Sequence, residues 1–134
     1  MHRSVRAILL LLGCWLLSSP SHAGQTSNQP NVAISLSGSG SFFYGSIGVA
    51  RNGADNVQYI GCLVYATTSG KSVYCGARDA SGTVAACSSN NAQYVEAVAT
   101  MNENSILDVG FDQGAAVCTH VGVDNSSASL PVSP

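Results

Sequence analysis

Four cysteines constrain this chain more than any other feature. Cys62, Cys75 and Cys87 recur at nearly equal intervals through "IGCLVYATTSGKSVYCGARDASGTVAAC", and Cys118 follows much later. Two clusters of turn residues, "TTSGK" and "DASG", separate the alternating apolar runs that carry the first three. Two hairpins with matched arms are the simplest reading. Cys62 and Cys75 then lie symmetrically about Thr68 and Ser69, and Cys75 and Cys87 about Ser81. Each cysteine falls at the matching point of a neighbouring strand, so the spacing reports hairpin geometry and not a ligand set. Cys75 cannot bond both neighbours. The favoured pairing is Cys62 with Cys75 and Cys87 with Cys118, the second bond tying the hairpins to the last strand.

Disulfides form in oxidising compartments, and the N-terminus reads as a route to one. His2, Arg3 and Arg6 precede the apolar run "AILLLLGCWLL", and "SSPSHA" then supplies the small residues Ser21 and Ala23. This is the pattern of a secretory signal peptide, residues 1–23, cut before Gly24. The run is short of the roughly 20 apolar residues that span a bilayer, and no later segment qualifies. "LLGC" resembles a lipoprotein cleavage motif ending at Cys14. The run continues through "WLL", so ordinary cleavage after Ala23 is the expectation. Cys14 leaves with the signal and an even set of cysteines remains. The expected location is the periplasm or beyond.

The chain has 134 residues, with five Lys or Arg and seven Asp or Glu. Cleavage would remove Arg3 and Arg6 and leave Arg51, Lys71 and Arg78 against all the acids. Three separated cations cannot form the continuous positive surface that phosphate backbones need, so nucleic acid is not an expected partner. The remaining length suits one small domain with one core.

Residues 24–31, "GQTSNQPN", are polar and aperiodic and read as a disordered N-terminus. Alternating apolar patterns predict strands over residues 32–38, 42–51, 57–66, 72–79, 83–88, 106–112 and 115–124. In 57–66 both faces are apolar, with Val57, Tyr59, Leu63 and Tyr65 on one and Ile60, Cys62, Val64 and Ala66 on the other. That predicts a central strand. In 106–112, Leu107, Val109 and Phe111 should point inward. "NNAQYVEAVATM", residues 90–101, places Tyr94, Val95, Val98 and Met101 at helical spacing, and Asn90 with Gln93 resembles a capping box. The fold class is therefore α+β: a mainly antiparallel sheet of about six or seven strands in a meander, with one helix packed on one face and disulfide staples. The domain should span residues 32–125, followed by a flexible tail, 126–134.

Candidate chemistry is sparse. Structural zinc uses close ligand pairs, and Cys118 with His120 is the one close pair here. No metal or cofactor is expected. His120, two residues after Cys118, should share the cysteine face and make structural hydrogen bonds. As a catalytic base it would need a nucleophile and a carboxylate beside it, and no Gly-x-Ser-x-Gly elbow is present. Asp108, Asp112 and Asp124 match neither a calcium loop nor a defined carboxylate pair. Tyr59, Tyr65 and Tyr74 should lie opposite the cysteines. If the helix covers the cysteine face, they form a partly exposed strip suited to contact, because Tyr is large, stiff and half polar. The alternative places them under the N-terminal strands as a second apolar layer. "NSS" at Asn125 would be a glycosylation sequon in a eukaryotic host.

The set "GSIGVARN", "QYIGC", "YCGARDASG", "AAC", "NSILDVGFDQGAAVC" and "VDNSS" resembles a group of small secreted, cysteine-containing proteins of Gram-negative bacteria, over residues 45–131. That resemblance implies a bacterial source, export and an independent domain, and it carries no activity across. The expected function is a non-catalytic binding or envelope-associated protein whose partner is an unknown protein or envelope component, with Tyr59, Tyr65 and Tyr74 as the contact residues. The first alternative is an inhibitor of a secreted enzyme, acting through "TTSGK" or "DASG", because a rigid loop loses little entropy on binding. The second is a small hydrolase centred on His120.

Overall fold

The turn residues cut the chain into short strands, and one sheet collects all of them. The computed structural model describes residues 29–126. In order these form β1 (Ala33–Ser35), a 3-10 turn (Gly38–Gly40), β2 (Ser41–Ser46), α1 (Ile47–Asn52), β3 (Tyr59–Thr67), β4 (Gly70–Arg78), β5 (Val84–Ser89), α2 (Ala92–Ala99), β6 (Ile106–Asp112) and β7 (Val117–Asp124). The sheet has seven strands in the order β1-β2-β6-β7-β5-β4-β3. The expected signal peptide, the lipidation motif at Cys14 and residues 127–134 of the expected tail lie outside the described residues. So do residues 24–28 of the N-terminal segment. Pro30, from the same segment, accepts a hydrogen bond from Ser46 N at 3.1 Å.

The sheet is two antiparallel halves joined at a seam. β1, β2, β6 and β7 pair antiparallel, and so do β3, β4 and β5. β5 and β7 meet in parallel, with Ser88 opposite Val117 and Ser88 N donating to Ala116 O at 3.0 Å. The sheet is therefore mixed; antiparallel pairing holds within each half, and the expected meander holds only through β3, β4 and β5, because β2 pairs with β6. Two disulfides are present: Cys62–Cys75 inside the β3–β4 hairpin and Cys87–Cys118 across the seam.

Packing follows alternation. Phe43, Val73, Cys75, Cys87, Leu107, Val109 and Phe111 are essentially fully buried on one face, and the Phe43 and Phe111 rings lie 5.7 Å apart. Each such Val, Leu or Phe side chain contributes about 1.5–3 kcal/mol on burial. α2 lies over this face against β3, β4 and β7, with Val98 buried and Tyr94, Val95 and Met101 packed beside it. Asn91, not Asn90, caps the helix, accepting from Gln93 N at 2.9 Å. The Tyr94 hydroxyl donates to Thr119 O at 2.6 Å, satisfying a β7 carbonyl beyond the end of β5.

Two expectations are corrected. The strand expected over residues 42–51 ends at Ser46, where α1 begins. Ser46 accepts from Val49 N and so caps a new helix, and Gly48 admits Asn104, whose Oδ1 lies 3.2 Å from where a Cβ would sit. This short helix carries the chain across to the far edge of the sheet. There β3, expected to be central, is an edge strand. Apolar residues on both faces signal a strand covered on both faces; nothing in the described chain covers the outer face of β3.

Candidate functional site

The face opposite α2 is open. On its β3–β4–β5 half, Tyr59, Leu63, Tyr65, Tyr74 and Val84 are each between 42% and 55% exposed. Register groups them into rows across the strands. Tyr59 is opposite Arg78, which is opposite Val84; Leu63 is opposite Tyr74, which is opposite Ser88. Between these rows lies one of small residues, Gly61, Gly76 and Ala86. The Tyr74 ring leans over this row, its Cε1 3.6 Å from where a Gly76 Cβ would sit. Residues 59–78 carry Lys71 and Arg78 and no acid. The three tyrosines thus sit opposite the cysteines on an uncovered surface, because the N-terminal strands extend the sheet sideways instead of layering over it.

His120 is on the outer face as well, and this corrects its expected place beside Cys118. Phe111 pairs with Cys118, but Gly110 pairs with His120. Thr119 is therefore an extra residue, a bulge, and it moves every later side chain to the opposite face. The imidazole lies along the strand over Gly122, with Nε2 3.2 Å from where a Gly122 Cβ would be. Nε2 is 3.9 Å from Asp108 Oδ2, and both side chains are more than half exposed. Tyr44 pairs with Asp108 on the other side. Tyr44, Asp108, His120, Gly122 and Asp124 line a cleft of about 290 Å³. Tyr44 and Gly122 carried no signal in the sequence, and Asp108, weighed there only among the acids, was not linked to His120, because an outward carboxylate in a strand reads as solvated surface.

The His120–Asp108 contact becomes an ion pair when the imidazole is protonated. A nucleophile activated by a histidine base needs a hydrogen bond of about 2.6–3.2 Å to it. Among the described residues, no hydrogen bond of that kind reaches the ring. No group of three or more His, Cys, Asp or Glu side chains among the described residues could hold a metal ion.

The loops named in the sequence are locally ordered. Asp79 Oδ1 accepts from Ser81 N, Ser81 Oγ and Thr83 N, and Asp79 N donates to Thr83 O. The Ser81 hydroxyl, with the backbone N–H groups of Thr83 and Ser81, holds the Asp79 carboxyl below the usual carboxylate range. The Val57 N–H and the Gln58 side chain do the same for Asp55. Across the chain, Asn125 is committed to structure. Its Oδ1 accepts from buried Ser105 Oγ and from Asn102 Nδ2, and its Nδ2 donates to Thr100 O at 3.0 Å. No protein-family model matches the chain, and no curated protein or solved structure matches it.

Proposed function

We propose that this is an exported binding protein of a Gram-negative cell envelope or its surroundings, acting without catalysis through its outer sheet face. The observation that carries this reading is the exposed set Tyr59, Leu63, Tyr65, Tyr74 and Val84 on a face that no element of the described chain covers. Monomeric surfaces usually scatter their large apolar residues, and a contiguous patch marks a contact site. The paired disulfides suit an oxidising compartment, and no helix among the described residues is long and apolar enough to cross a membrane. Retention of the purified protein on envelope fractions tests the reading, against a Tyr59→Ser, Tyr65→Ser, Tyr74→Ser variant. These side chains are exposed, so the variant should keep its fold and disulfides and lose retention. Equal retention would sink the idea.

A second reading, an inhibitor of a secreted enzyme, is supported by the Asp79 loop. Its hydrogen bonds preorganise an exposed turn, which lowers the entropy lost on binding. Inhibition of a secreted hydrolase that disappears in Asp79→Ala and survives the tyrosine changes would favour this reading over the first.

A further inference from the structure

We infer that β3 is a pairing edge for a second copy of this chain, giving a two-fold dimer whose sheets run together. The inference does not depend on what the outer face binds. β3 is nine residues long and ends the sheet, whereas the opposite edge, β1, has three. Exposed strand edges are normally blunted by charge, proline, bulges or shortness. "YIGCLVYAT" contains no charged residue and no proline, and its pairing with β4 runs without a register shift.

Its backbone groups are poised outward. The Cα atoms of Cys62 and Cys75 are 4.0 Å apart, the close approach of a non-hydrogen-bonded antiparallel pair. The N–H and C=O groups of Cys62, and of Ile60, Val64 and Ala66 by alternation, therefore face away from β4. No hydrogen bond among the described residues reaches them from the other side. Leu63, Val64 and Tyr65 stay substantially exposed, although they alternate between the two faces. The outer end of β3 is thus bare on both faces and along its edge.

Self-pairing has a register that suits the side chains. Antiparallel pairing centred on Leu63 uses the full strand and sets Cys62 against Val64 of the partner copy as hydrogen-bonded neighbours. It sets Leu63 against Leu63 at the two-fold axis. It also brings Tyr65 of each copy beside Gly61 of the other. Gly61 has nothing within 4 Å of where a Cβ would sit, so the tyrosine ring has open space to fill. An uncharged strand meets its own copy with no like-charge cost. The two tyrosine-bearing faces then become one continuous surface.

Sedimentation equilibrium on the exported, oxidised protein tests this. A reversible dimer mass is expected. Leu63→Lys places like charges across the axis and should weaken association by about tenfold or more. Leu63→Glu should do the same, and an equal mixture of the two should restore a mixed dimer. Val64→Pro removes an edge N–H that β4 does not use, and should also dissociate the dimer with the disulfides intact. A monomer at every concentration would overturn the inference. So would a dimer indifferent to both Leu63 changes, or a mixture that fails to associate. Should Val64→Pro misfold, the charge pair still decides, since Leu63 is exposed in the single copy.

Discussion

Cys87 of β5 is bonded to Cys118 of β7 at the seam between the two antiparallel halves of the sheet. Elsewhere the halves are held by ladders of paired residues. At the seam, a single register pair, Ser88 with Val117, joins the strands. The covalent bond supplies there the connection that a hydrogen-bond ladder supplies between the other strands.

Loss of this bond should therefore cost more than loss of the hairpin staple. Cys87→Ala with Cys118→Ala should lower unfolding free energy by roughly 3–4 kcal/mol, from the longer loop it closes. Cys62→Ala with Cys75→Ala should cost about 3 kcal/mol or less, because the β3–β4 pairing already restrains those residues. Denaturant unfolding of both double variants measures the difference. Hydrogen exchange at the Ser88 amide should quicken only in the first.

The Asn125 amide links the end of β7 to the loop before β6. Asn125→Ala leaves the buried Ser105 hydroxyl without its acceptor and the Thr100 carbonyl without its donor. A loss of about 1–3 kcal/mol is expected. Ser127→Ala removes the sequon without changing Asn125 itself, and should change stability little. Thermal melts of the two variants separate the structural role of Asn125 from a glycan-acceptor role.

Ala116 occupies the left-handed region at φ 53°, and its carbonyl receives the Ser88 N–H at the seam. That conformation costs a residue with a Cβ about 1–2 kcal/mol. Ala116→Gly relieves it and loses part of the gain to unfolded-chain entropy, for a net stabilisation of about 0.5 kcal/mol. Ala116→Val should destabilise. Paired denaturation midpoints check both signs.

Asp79 gives a pH signature. Its folded pKa lies below its unfolded value, because the Ser81 hydroxyl and the neighbouring backbone N–H groups favour the carboxylate. Its contribution is therefore complete above the usual carboxylate range and is lost as pH falls through the lowered pKa. Asp79→Asn should flatten the acid limb of a melting-temperature profile and leave the neutral limb parallel to that of the wild type.

By itself the sequence determined what is local. Turn residues around Thr68–Ser69 and Ser81 set the two hairpins and put Cys62 opposite Cys75. Alternation in "ILDVGFD" set the inward residues Leu107, Val109 and Phe111, and helical spacing set the face of α2. The tertiary structure decided the rest. Two apolar faces on β3 cannot distinguish a central strand from an edge awaiting a partner, because periodicity reports burial potential and not neighbours. At the change from strand to helix, Ile47 N donates to Ser105 O at 3.0 Å, a contact remote in sequence. The outward turn of His120 depends on the bulge at Thr119, where one extra residue reverses the face of all that follows. Strand pairing decides where such a residue is accommodated, so His120 met Asp108 only once β6 and β7 were side by side.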